Sequence, residues 1–229
     1  MDFGVVMRYI PMFFTGIKLT IFISIAAIFI AVIVGLLIYF MKASSIKIGG
    51  FHFLRAIAFI FIEIMRGTPL LLQVLIAYVL VGMLPMSSEL PSNFAAIIAS
   101  IAAIGLNSSV YIAEIFRAGI QSIPKGQMEA ARSLGLTHLM SMRKVIMPQA
   151  IKNILPAIGN EFVADIKGSS MAYVLGIAEL TFTAKVVQGA TYRGLEPLIV
   201  SAVFYLILTF SLGRFVGWTE RRMQQDDRY

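Results

Sequence analysis

The chain has 229 residues, 59% of them hydrophobic and only 14% charged, with a mean hydropathy of +0.86. This balance excludes a soluble domain, which needs far more polar surface, and indicates an integral membrane protein. The net charge of +7 then reads as Lys and Arg of cytoplasmic loops rather than a nucleic-acid patch, and the lack of cysteine excludes disulfide and thiol chemistry.

The opening residues, MDFGVVMRYIPMFF, lack a short apolar core followed by a small-residue cleavage site, so they are expected to belong to the mature protein. Lipid leaves backbone amides without partners, so spans are expected as helices of ~20 largely apolar residues. Five such spans are predicted, over about 17–41, 53–83, 94–118, 155–180 and 197–218 of a single all-α transmembrane domain. Residues 84–93 form a turn-rich loop, and about 120–152 form a polar, basic loop between two apolar segments. Five spans put the termini on opposite sides. With the N-terminus outside, most Lys and Arg from Lys42 to Arg228 fall on the inner side, leaving Arg8, Lys18, Lys185 and Arg193 outside. This asymmetry predicts N-out, C-in and places the polar loop in the cytoplasm.

Charge within a span is costly, and usually functional or paired. In the second span Glu63 and Arg66 lie three residues apart, suited to an ion pair, followed by Thr68, Pro69 and Gln73. Pro69 removes a hydrogen bond to the Met65 carbonyl and is expected to bend the helix, making a polar wall. In the third span Asn107, Ser108, Ser109, Tyr111 and Glu114 form a polar patch that reads first as helix packing, with Glu114 placed to pair with Arg117. In the fourth, Asn160, Glu161, Asp165 and Ser169 recur near a spacing of four and make one face acidic. Two intramembrane carboxylates suit a cationic side chain or an α-ammonium group, and a basic amino acid gains most. The bland reading has both acids answering Lys152 or Lys167 near the headgroups. Residues 181–193 are expected to be an outer segment.

The polar loop reads as two short helices. Ser122 is placed to cap the first, Gly135 to end it, Thr137 to cap the second, and Pro148 to end or bend that one. Glu129-Ala130-Ala131, then Gly135, then Ile146-Met147-Pro148 resemble the EAA loop of ABC importer permeases. The longer RAGIQSIPKGQMEAARSLGL and the upstream Met65-Arg66-Gly67-Thr68-Pro69-Leu70 are similar to the polar amino-acid uptake branch. Met147 stands where that family usually has Leu, a swap that keeps volume and apolarity. Asn160-Glu161-Phe162 and Ala178-Glu179-Leu180 also match. The chain departs at Gly168, where Asp is common, and at Asp165, where an uncharged residue is common.

The resemblance implies a type I importer (MetI-like) permease fold of five transmembrane helices per subunit. It implies a second permease subunit, two copies of an ABC ATPase carrying ATP and magnesium, and an extracytoplasmic amino-acid-binding protein. The location implied is a bacterial inner membrane. Gly126, Glu129, Ala130, Ala131 and Gly135 would dock on the ATPase, while Asn160, Glu161, Asp165, Ser169, Arg66 and Gln73 would form the substrate pathway. The chain has no phosphate-binding Gly-x-x-x-x-Gly-Lys-Ser/Thr, no metal-spaced His or Cys cluster and no Ser-His-Asp set, so no catalysis or cofactor of its own is expected. An ion-coupled secondary carrier, with Glu161 and Asp165 as its ion site, is the alternative.

Overall fold

A computed structural model describes residues 3–47, 52–85 and 91–225. Among these the chain is all helix. A short α1 (Phe3–Met7) leads into α2 (Ile10–Ala43), followed by α3 (Phe53–Gly67), α4 (Leu70–Gly82) and α5 (Ser92–Gln121). Next come α6 (Lys125–Ser133), α7 (His138–Ser141), a π turn (Met142–Ile146) and α8 (Met147–Gly168). A 3-10 segment (Ser169–Leu175), α9 (Leu180–Thr191) and α10 (Glu196–Gln225) complete the chain.

Three helices, α2, α5 and α10, are each long and apolar enough to cross a bilayer unaided. At 1.5 Å per residue, α2 runs ~50 Å and so exceeds the ~30 Å hydrocarbon core. Two further spans arise only if bent pairs count as one: α3 with α4, bent by 114°, and residues 138–175 with α9, bent by 47°. The second predicted span is therefore bent at Pro69, as expected, into two short helices at a steep angle. Much of the 84–93 loop lies outside the described residues.

The centre of the bundle is the α2–α5 seam. Small residues let these helices approach closely: a side chain at Gly105 would meet the Ala27 carbonyl at 2.8 Å and Ile30 at 2.9 Å. Without a hydrophobic drive between helices in lipid, such close packing is what holds them together. Ile23, Ala27, Ala96, Ile104, Ala172 and Ile177 form a buried cluster there. Large apolar side chains such as Phe22, Phe29, Phe40, Leu206 and Phe210 point outward, as lipid-facing residues do.

Residues 181–193, expected only as an outer segment, are largely helical. Most of them form α9, whose Leu180, Ala184 and Val187 bury against Val6 and Phe13. The cap responsible is Glu179, which is fully buried. Its carboxylate accepts from the Thr181 N–H (2.8 Å), the Phe182 N–H (2.7 Å) and the Tyr205 hydroxyl (2.7 Å). Those donors satisfy a carboxylate that would otherwise be costly in the bundle.

Candidate functional site

Pro69 bends the second predicted span, and the freed backbone is satisfied by side chains. Gln73 donates through Nε2 toward the Met65 carbonyl (3.0 Å), the Thr68 carbonyl (3.1 Å) and the Thr68 hydroxyl (2.8 Å). Asn107 of α5 donates to the Gln73 side-chain oxygen (3.0 Å) and to the Met65 carbonyl (3.3 Å). A carbonyl released by proline is thus tied by amides from two helices. Gln73 stands behind Asn107 and fixes the kink.

Asn107 in turn faces a cleft of about 340 Å³ between α4, α5 and α8, lined also by Leu70, Ser108, Tyr111, Glu161, Ala164 and Asp165. Asp165 is 3% exposed. One of its oxygens accepts from the Ser108 hydroxyl, and the other is buried with no hydrogen-bond partner among the described residues. Glu161, one turn earlier, is half-buried and lines the same cleft. Among the described residues no basic side chain lines it.

The remaining sequence-predicted pathway residues separate. Asn160 is exposed and does not line the cleft, because adjacent helical residues point ~100° apart. Ser169 is buried with its hydroxyl donating to the Ile166 carbonyl (2.8 Å), at the point where α8 tightens to a 3-10 turn. Lys167 is exposed and off the cleft. The Glu63–Arg66 ion pair does not form. Glu63 is exposed, while the Arg66 guanidinium lies 5.8 Å from the centre of the Tyr111 ring. Glu114 and Arg117 do pair, with Nε donating at 2.9 Å.

The polar loop folds as a hairpin. Gly135 has φ +84°, a conformation that suits glycine, and it lets Leu136 N–H reach the Ala131 carbonyl (3.2 Å) and Gly135 N–H the Arg132 carbonyl (3.0 Å). Thr137 caps α7 by accepting from Met140 N–H at 3.3 Å. Ser122 does not cap α6. It closes α5 by donating to the Gly119 carbonyl (2.8 Å) and accepts from Asn153 (2.8 Å), so α6 starts on Pro124 with no side-chain cap. Pro148 does not end its helix either. A π turn precedes it, with Met147 N–H bonding to the Met142 carbonyl, and the helix runs on into α8. Ala131 is buried, while Gly126, Glu129, Ala130 and Gly135 are exposed beside Leu134 and Leu139, which are 83% and 76% exposed.

Membrane-length helices around a polar cleft, with an exposed hairpin at one end, are the architecture of a transport permease. Residues 48–225 match the family "Binding-protein-dependent transport system inner membrane component", and the chain belongs to that family. It is 36% identical over 223 residues to the glutamine transport system permease protein GlnP of Escherichia coli strain K12, covering 97% of this chain and 98% of that one. It is also 36% identical over 228 residues to the arginine transport system permease protein ArtQ of Bacillus subtilis strain 168, covering 99% of each. Among solved structures, a chain of an amino acid ABC transporter crystallised with histidines superposes with a TM-score of 0.84 at 44% identity, covering 97% and 99%. The inward-facing MetNI methionine ABC transporter, at 18% identity and a TM-score of 0.73, shares the fold. The resemblance read from residues 65–70 and 111–161 is thereby borne out at the family level, and so is an inner-membrane location.

Proposed function

We propose that this chain is the membrane subunit of an ATP-driven amino-acid importer, and that its cleft prefers basic amino acids such as arginine, lysine or histidine. The observation that carries the preference is the cleft itself. It holds two carboxylates and no base among its lining residues, and one carboxylate oxygen lies buried without a donor. A guanidinium or ammonium group supplies that donor, and charge-assisted hydrogen bonds away from water are strong. Relatives named for glutamine and for arginine support the amino-acid class.

The coupling reading rests on continuity. Residues 138–175 form one run of helix, so the second arm of the hairpin and the carboxylates belong to one lever. Two ATPase copies closing with bound ATP and magnesium would push on Gly126, Glu129, Ala130, Ala131 and Gly135, and α8 would carry the movement to Glu161 and Asp165. A second permease subunit would face the cleft, an extracytoplasmic binding protein would deliver cargo, and the chain would lie N-out, C-in across five spans.

The test is cargo-stimulated ATPase activity in proteoliposomes, with the chain co-reconstituted with its ATPase and binding protein. Stimulation by arginine, lysine or histidine that is lost in Glu161→Gln supports the proposal. Stimulation by glutamine alone discards the basic preference and keeps the importer. Glu129→Lys is expected to leave insertion intact while abolishing transport. Transport that continues without any ATPase and collapses with the membrane gradient would replace the importer with a secondary carrier.

A further inference from the structure

A second cavity lies outside the cleft. It measures about 280 Å³ and sits where α2, α3 and α5 converge, walled by Tyr39, Ile62, Val110 and Ala113. Three cations line it, Lys42, Arg66 and Arg117, against one carboxylate, Glu114. That carboxylate is already engaged: Arg117 holds it through two nitrogens and also donates to Gln121. Lys42 and Arg66 face the cavity with no carboxylate bound to either among the described residues.

Each cation lies toward the C-terminal end of its helix, where the helix dipole favours positive charge. The dipoles therefore account for the residue types. They do not account for the space between them. The cavity has apolar walls on its inner side and charge at its rim, the combination that receives a lipid headgroup with its chains against the bundle. Its position fits as well. Gln121 lines this cavity and also the groove behind α6, so the cavity opens at the hairpin end of the bundle, level with the ends of α2 and α5.

We propose that this cavity binds the phosphate of an anionic phospholipid, held by Lys42 and Arg66 with Arg117 at the rim. Basic pockets between helices on the cytoplasmic side are where such headgroups bind. The site rests on the permease reading only for which leaflet supplies the lipid. A bound headgroup would tie the ends of α2 and α5 to α3, beside the root of the hairpin.

The experiment is native mass spectrometry of the full chain titrated with phosphatidylglycerol, with phosphatidylcholine as the neutral control. One phosphatidylglycerol is expected to be retained per chain in preference to phosphatidylcholine. Lys42→Gln and Arg66→Gln should each weaken that first event by about fivefold, the effect of one surface cation. Lys42→Arg should retain it, and Arg143→Gln, which removes an exposed charge away from the cavity, should leave it unchanged. Equal retention of both lipids, or an equal loss in Arg143→Gln, overturns the site. Displacement by excess inorganic phosphate overturns the lipid as its source and keeps the phosphate chemistry. A chain that retains phosphatidylglycerol but shows no amino-acid-stimulated ATPase when co-reconstituted with its ATPase and binding protein would overturn the importer reading and leave this site standing.

Discussion

The acidic cleft and the basic cavity are close neighbours with opposite charge. Tyr111 lines the cleft, and Arg66, which lines the cavity, lies over the Tyr111 ring. In the cavity, the one carboxylate is saturated by its own helix neighbour and cations are left over. In the cleft, no basic side chain among the described residues lines the walls and a carboxylate oxygen is left over. Neutralisation within each region is thus incomplete, in opposite senses, and an aromatic ring keeps the two from cancelling each other. Sites that a protein completes internally hold structure, whereas incomplete ones await a ligand.

The largest effect on this contrast is expected from Asp165→Asn. It keeps an acceptor for Ser108 and removes only the charge, so stimulation by arginine should fall by about tenfold or more, the worth of a hydrogen bond to a charged group. Stimulation by glutamine should fall little, and an equal loss for both would assign Asp165 to folding rather than selection. Next is Gln73→Leu, which strips the Gln73 donor from the Thr68 carbonyl and one of two donors from the Met65 carbonyl and should cost roughly 1–3 kcal/mol in thermal or denaturant unfolding. Gly105→Val should cost a similar 1–3 kcal/mol by overpacking the α2–α5 seam, yet leave the arginine-to-glutamine preference unchanged. A changed preference would show that shape, not charge, sets selection in the cleft. The smallest effect is expected from Tyr111→Ala. Loss of a cation–π contact worth about 0.5–1 kcal/mol frees Arg66 toward the cleft and should raise the half-saturating arginine concentration by a few-fold.

Much of this was legible in the sequence because single residues carried single consequences. Pro69 announced the bend, Gly135 the left-handed turn and Thr137 the cap, and each acts as its local chemistry dictates. The acidic face of α8 was legible as a period, but only Glu161 and Asp165 share the cleft. The helix tightens after Gly168, and Asn160 falls outside the arc that α5 covers. Ser108 and Asn107 looked like packing residues because their partners, Asp165 and Gln73, come from other helices. The same holds for α9. Its short, mixed sequence marks only a segment between spans, and Tyr205 of α10 completes the Glu179 cap. Arg66 and Glu63, spaced to allow an ion pair, stay apart, since three residues on one helix permit a pair without requiring it.

The π turn at Met142–Ile146 has a consequence for inheritance. A π turn is an α-helix that has gained one residue, and each residue in an α-helix sets its successors ~100° round the axis. The wider turn takes up that extra residue locally, so deleting one residue between 142 and 146 would let the helix run as plain α with His138–Ser141 keeping their side of the axis that carries Glu161 and Asp165. The aim of the hairpin relative to the carboxylates is thus buffered against losing one codon at 142–146, whereas the same loss in the plain helix of 149–160 would turn it by ~100°.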